Sequence, residues 1–107
     1  MHGMNLSDFI NSADAGGDPP ELLSDALKAM WLLRGGNWQQ AHDLCGALDD
    51  SDSAWVHAHL HRVEGDLGNA GYWYSMAGKA PPQGMEGLEE EWMAMVGAML
   101  GDRQKAE

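Results

Sequence analysis

The chain has 107 residues, enough for one domain, and carries a net charge of -11 from 17 acidic and 6 basic side chains. That balance repels phosphate backbones and anionic lipid, so nucleic acid and membrane surfaces are excluded as expected partners, and a recognised protein or peptide is expected to be basic. Cys45 is the single cysteine, which rules out an intramolecular disulfide and a Cys-rich zinc site.

The first 17 residues, MHGMNLSDFINSADAGG, lack both a basic region and a long apolar run. They do not read as a signal peptide, no later segment is long and apolar enough to span a bilayer, and a cytoplasmic protein is the expectation. Val and Ile are scarce and Thr is absent, while Ala, Leu, Met, Glu and Gln are plentiful, so the elements should be helices. Five Trp and eight Met supply bulky and adaptable packing between them.

Leu6 to Ala13 suits a short helix. Asp18-Pro19-Pro20-Glu21 reads as the start of the next, with Asp as cap and Pro at the first helical position. That helix should run to about Arg34, with Leu23, Ala26, Leu27, Met30 and Trp31 at three- and four-residue spacing. Leu22, Ala29 and Leu33 widen its apolar surface to two sides. Gly35-Gly36 stops it, and Asn37 with Gln40 reads as a capping box for a second helix whose apolar face is Trp38, Ala41, Leu44, Cys45 and Leu48. Cys45, inside this pattern, is expected to be a buried small hydrophobe.

Asp49-Asp50-Ser51-Asp52 forms a solvated connection with cap candidates. A third helix follows from about Ser53 to Glu64. Gly65 stops it, and Asp66 caps a fourth helix that runs to about Gly78. Pro81-Pro82 and Gly84 break the chain before a last helix, about Met85 to Gly101. Leu88, Trp92, Met95, Val96, Met99 and Leu100 line one side of it. Glu89, Glu90 and Glu91 suit its dipole, and Ala94, Gly97, Ala98 and Gly101 form a small-residue strip fit for a close helix. Residues after Gly101 are expected to fray.

Two segments align without a gap: GGNWQQAHDLCGAL from Gly35 and EGDLGNAGYWYSMA from Glu64, 29 positions on (64 − 35). Ala41 and Ala70 coincide. Each segment follows an apolar helix, which is how a helical solenoid looks in sequence.

GDLGNAGYWYSMAGKAPP, from Gly65 to Pro82, resembles the second half of a tetratricopeptide repeat. Gly65, Asp66, Ala70, Tyr74, Ala77 and Pro82 stand at that family's places, and Ala58 where the preceding helix needs a small residue. The earlier unit departs from it, with Cys45 and Leu48 replacing the aromatic and the Ala, and the spacing is shorter than the usual 34. WVHAHLHRVEGDLGNAGYWY further resembles a phrase in small, uncharacterised bacterial proteins of this helical type. The likeness covers about residues 20 to 100 and implies a fold without an established activity.

Chemistry concentrates in His57 to Tyr74, HAHLHRVEGDLGNAGYWY. His57 and His61 are four apart and share one helix face, the spacing of a two-histidine metal site, with His42, Asp43, Glu64 and Asp66 as further donors. His59 points towards the apolar side with Trp55 and Leu60. The competing reading is a structural network in which His61, Arg62, Glu64, Asp66, Asn69 and Tyr72 hydrogen-bond across a hairpin, Arg62 pairing with Asp66. Tyr72, Trp73 and Tyr74 span more than one helix face, so one of them should be exposed or at an edge. No nucleophile frame, phosphate loop or cofactor fingerprint is present, so no catalytic residue and no cofactor is assigned.

The expectation is therefore an all-α single domain over 1–107. It has two antiparallel helix pairs (repeat 1 about 19–50, repeat 2 about 52–80) stacked in tetratricopeptide-like, right-handed fashion. A capping helix covers about 85–101. Were the N-terminal helix absent or loose, the open first repeat would favour a homodimer. The expected function is a non-catalytic protein- or peptide-binding module. His57, His61, Arg62, Glu64, Asn69, Tyr72 and Trp73 are its candidate contact residues. The alternative is a small-molecule or metal-binding protein or enzyme centred on the same stretch, with His57 and His61 as metal ligands.

Overall fold

The computed structural model describes residues 4–48, 50–82 and 84–105, with backbone alone for 102–105. Among the described residues six helices follow one another: α1 (Leu6–Ala15), α2 (Asp25–Arg34), α3 (Trp38–Gly46), α4 (Ser51–Val63), α5 (Leu67–Ala77) and α6 (Leu88–Lys105). The described residues contain no strand, so the chain is all-α.

Side-chain caps decide where most of these helices begin. Asn5 accepts from the Asp8 N–H at 2.8 Å and starts α1, which seats Phe9 and Ala13 in the core. Burying a Phe side chain stabilises by roughly 1.5–3 kcal/mol. The Trp31 indole N–H donates to Ser12 at 3.0 Å and ties α1 to α2. α1 thus packs against the first helix pair through α2.

α2 begins later than the Pro-Pro signal suggests. The residue before a proline is disfavoured in helical conformation, which holds Pro19 out of a helix. Pro20 to Leu23 instead forms a turn, the Leu23 N–H reaching the Pro20 carbonyl at 3.3 Å. Ser24 then caps, accepting from the Leu27 N–H at 3.2 Å. Leu22, expected on the apolar surface, is 88% exposed in that turn.

Asn37 sits at the N-cap of α3 but makes no side-chain cap bond, so the capping box is not formed. α3 is held instead by Trp38, whose indole N–H donates to the Leu60 carbonyl of α4 at 2.9 Å. α4 starts at Ser51, two residues before expectation, because Asp50 accepts from both the N–H (3.1 Å) and the hydroxyl (2.7 Å) of Ser53. Asp49 lies outside the described residues. Gly65, at φ +87, makes the turn into α5, and Asp66 caps it through the Asn69 N–H at 3.2 Å.

α6 begins at Leu88, because Gly84 and Gly87 take positive φ and keep residues 84–87 in turns. It continues past Gly101 to Lys105. Trp92, Met95, Val96, Met99 and Leu100 are buried as the spacing predicts. The small-residue strip is not a helix contact: Ala94, Gly97 and Ala98 face solvent.

α2 pairs with α3, and α4 pairs with α5. Ala58 and Ala70, both essentially buried, let α4 and α5 approach closely around Tyr74. α6, expected to cap the last exposed groove, packs on α2 and α4, the first helix of each pair, and on α1. The Trp92 N–H donates to the Met30 carbonyl at 3.1 Å and fixes α6 on α2. The result is a stacked arrangement of helix pairs with α4 at its centre, nine of whose 13 residues are buried. No described helix is long and apolar enough to cross a membrane.

Candidate metal centre

Burial of α4 on every side forces its polar residues into two seams. One faces α3 and α5. His57 and His61, one turn apart on α4, meet His42 from α3, and one ligand atom from each of the three rings lies within 4.8 Å of the others. The ring of His42 stands edge-on to His57 at 4.6 Å and to His61 at 5.2 Å between centroids. His57 is stacked on His61 at 4.8 Å and on Trp73 of α5 at 4.0 Å. Trp38 stacks on His42 at 4.9 Å. Three imidazoles are thus set between two indoles, with His57 and His61 each 7% exposed and His42 half-buried.

The electrostatics suit ligation. Burial, together with the neighbouring His42 and His61 rings, holds the His57 pKa down to about 4, so this ring is neutral near pH 7 and its lone pair is free of a proton. Nδ1 of His61 lies 2.8 Å from Glu64 Oε1. An ionised carboxylate only accepts, so Nδ1 carries the hydrogen and Nε2 is left as the ligand atom. A carboxylate behind the imidazole is the usual outer partner of a metal-bound histidine. His61, Glu64 and Asp66 form a second close group, but Asp66 caps α5 and Glu64 holds His61.

The second seam faces α6. Glu91 accepts from His59 Nδ1 at 2.6 Å, from an Arg62 amino group at 2.9 Å and from the Tyr74 hydroxyl. Arg62, 1% exposed, also donates to the Gly84 carbonyl at 3.0 Å and to that of Glu86. Burial alone would raise the Glu91 pKa, but hydrogen bonds from His59, Tyr74 and Arg62 outweigh it and hold the carboxyl below its usual value. The Tyr74 phenol is pushed up by burial and by the carboxylate beside it.

The sequence-predicted residues therefore divide. His57, His61, Glu64 and Trp73 come together around the imidazoles, and His42 completes the group. Arg62 turns to the other seam and pairs with Glu91, because the helix ends between it and Asp66. His59 joins it there, packed against a carboxylate and not only apolar neighbours. Asn69 belongs to the α5 cap. Tyr72 is the aromatic left outside, 58% exposed and edge-on to Trp73 at 5.1 Å. Glu91 was read only as a dipole residue. Its place between Leu88 and Met95, beside Trp92, puts it on the buried side of α6, and that spacing was the available signal. Cys45 is buried as expected, and burial pushes its thiol up to about 12, so it offers no thiolate to the site.

Comparison with family models, curated proteins and solved structures finds no match to this chain.

Proposed function

We propose that the protein binds a divalent transition-metal ion of the zinc, copper or nickel kind through His42, His57 and His61. The observation that carries this reading is the convergence of three imidazole ligand atoms within 4.8 Å, from two helices and with a carboxylate behind one of them. Neutral imidazoles suit these ions, and a three-histidine set leaves a coordination position open to water or a small ligand. Metal–nitrogen bonds of about 2.0–2.1 Å place tetrahedral ligand atoms about 3.3 Å apart, so binding would draw the rings together. His42, half-buried on the shorter helix, is the ring best placed to move.

The scaffold reading that goes with this is tetratricopeptide-like. It is supported by the burial of Ala58, Ala70, Tyr74 and Ala77 and by the Gly65-Asp66 turn. A peptide-docking function has less behind it. The face that α2 and α4 share is covered by α6. Tyr72 and Met76, each 58% exposed on α5, support it only weakly, since scattered apolar exposure is ordinary.

The test is zinc titration of the tag-free protein against a chromophoric chelator, followed by copper(II) with paramagnetic resonance to count nitrogen ligands. One ion per chain is expected, with His42→Ala, His57→Ala and His61→Ala each weakening it at least a hundredfold. Glu64→Gln, which acts behind His61, should weaken it by about 10–100-fold. Equal, weak binding by wild type and His42→Ala would reduce the cluster to an aromatic packing seam.

A further inference from the structure

A cleft of about 340 Å³ opens between α2, α4 and α6, away from the three-histidine cluster. Its walls are Leu33, Val63, Leu88 and Trp92. Arg34 and Glu89, ion-paired at 2.9 Å, stand at its exposed rim. His59, 1% exposed, lies at its base.

His59 is held in one orientation. Its Nδ1 faces Glu91 at 2.6 Å, and that carboxylate is fixed in turn by Arg62 and Tyr74. Nδ1 therefore carries the hydrogen, and in the neutral ring Nε2 is a lone-pair acceptor. Nε2 has no hydrogen-bond partner among the described residues. His59 is one of the residues that line the cleft, and its Nδ1 is already engaged. A deeply buried, pre-oriented acceptor at the base of an apolar cleft is how small-molecule sites secure orientation.

We propose that this cleft is a second binding site, for a small neutral ligand with an apolar body and one hydroxyl or N–H group donated to His59 Nε2. Charge selects against anions: the chain carries -11, Glu89 stands at the rim, and Arg34 is already engaged by Asp14 at 3.1 Å and by Glu89. The apolar walls select for a ring or branched chain, and the lone acceptor for a phenol-like donor. The site is independent of the metal reading, since none of its residues is a proposed metal ligand.

The probe is p-cresol, with p-xylene as its counterpart in which a methyl group replaces the hydroxyl. Nitrogen-15 spectra of the histidine side chains are recorded during titration in the presence of a chelator. Saturable p-cresol binding is expected, with a shift of His59 Nε2 and of the Trp92 indole N–H, and p-xylene at least tenfold weaker. Val63→Phe fills the cleft without touching the His59–Glu91 contact and should abolish the shift, with a native spectrum elsewhere. Equal affinity for the two probes, a p-cresol response confined to other residues, or no saturation would each overturn the proposal.

Discussion

Replacing Glu91 by Gln removes one charge from the seam between α4, α5 and α6 and leaves the side-chain shape almost unchanged. In the native protein one carboxylate oxygen takes His59 Nδ1 and Arg62, and the other takes the Tyr74 hydroxyl. A Gln amide has one acceptor oxygen, so its NH2 group must face a donor on one side. Arg62 keeps its bonds to the Gly84 and Glu86 carbonyls, but at 1% exposure its charge loses its counter-ion. Stranding one member of a buried pair costs about 3–5 kcal/mol. At about 4 °C per kcal/mol for a domain of this size, the melting temperature should fall by roughly 12–20 °C.

Two controls separate charge from hydrogen bonding. Tyr74→Phe removes a single donor and leaves the carboxylate with His59 and Arg62, so it should cost about 1 kcal/mol. Glu89→Gln, also on α6, breaks the pair with Arg34 of α2, but Glu89 is 56% exposed, and such pairs contribute about 0–1 kcal/mol. Urea unfolding followed by tryptophan fluorescence and far-ultraviolet dichroism, near neutral pH, measures all three. If Glu91→Gln came within 1 kcal/mol of Glu89→Gln, the seam would not hold α6 as described.

Because the folded-state pKa of Glu91 lies below its unfolded value, its contribution is complete above the unfolded value of about 4.3 and is lost as pH falls through the folded one. The melting temperature of wild type should therefore approach that of Glu91→Gln in acid, and parallel pH profiles would refute this. Ser24→Ala should cost about 1 kcal/mol, because its hydroxyl caps α2. Asn37→Ala should cost markedly less, since Asn37 makes no cap bond, and a reversed order in denaturant midpoints would contradict the caps assigned. Cys45, buried with its thiol pushed up to about 12, should react with a disulfide reagent only at the rate of local opening. Immediate labelling of the native protein would count against its burial.

The helices were legible because their signals are local. Glycine turns at Gly65 and Gly78, the Asp66 cap and the spacing of Trp92, Met95 and Met99 each depend on a few neighbouring residues, and all stand where the sequence puts them. Pro19-Pro20 misled because a favourable first-turn residue and a turn former are the same residue, and Ser24 four positions later supplied a better cap. The site was half legible for a related reason. The spacing of His57 and His61 fixes a shared face on α4, but whether that face meets a third imidazole depends on how α3 crosses it, and Trp38 sets that crossing by bonding the Leu60 carbonyl. Arg62 shows the limit from the other side. Its local candidate, Asp66, is four residues away, but Gly65 turns the chain before a helical pair can form. The partner it finds is 29 residues on, in Glu91. A buried charge takes the carboxylate that packing delivers, and only the buried side of α6, read with Glu91 on it, carries that information in the sequence.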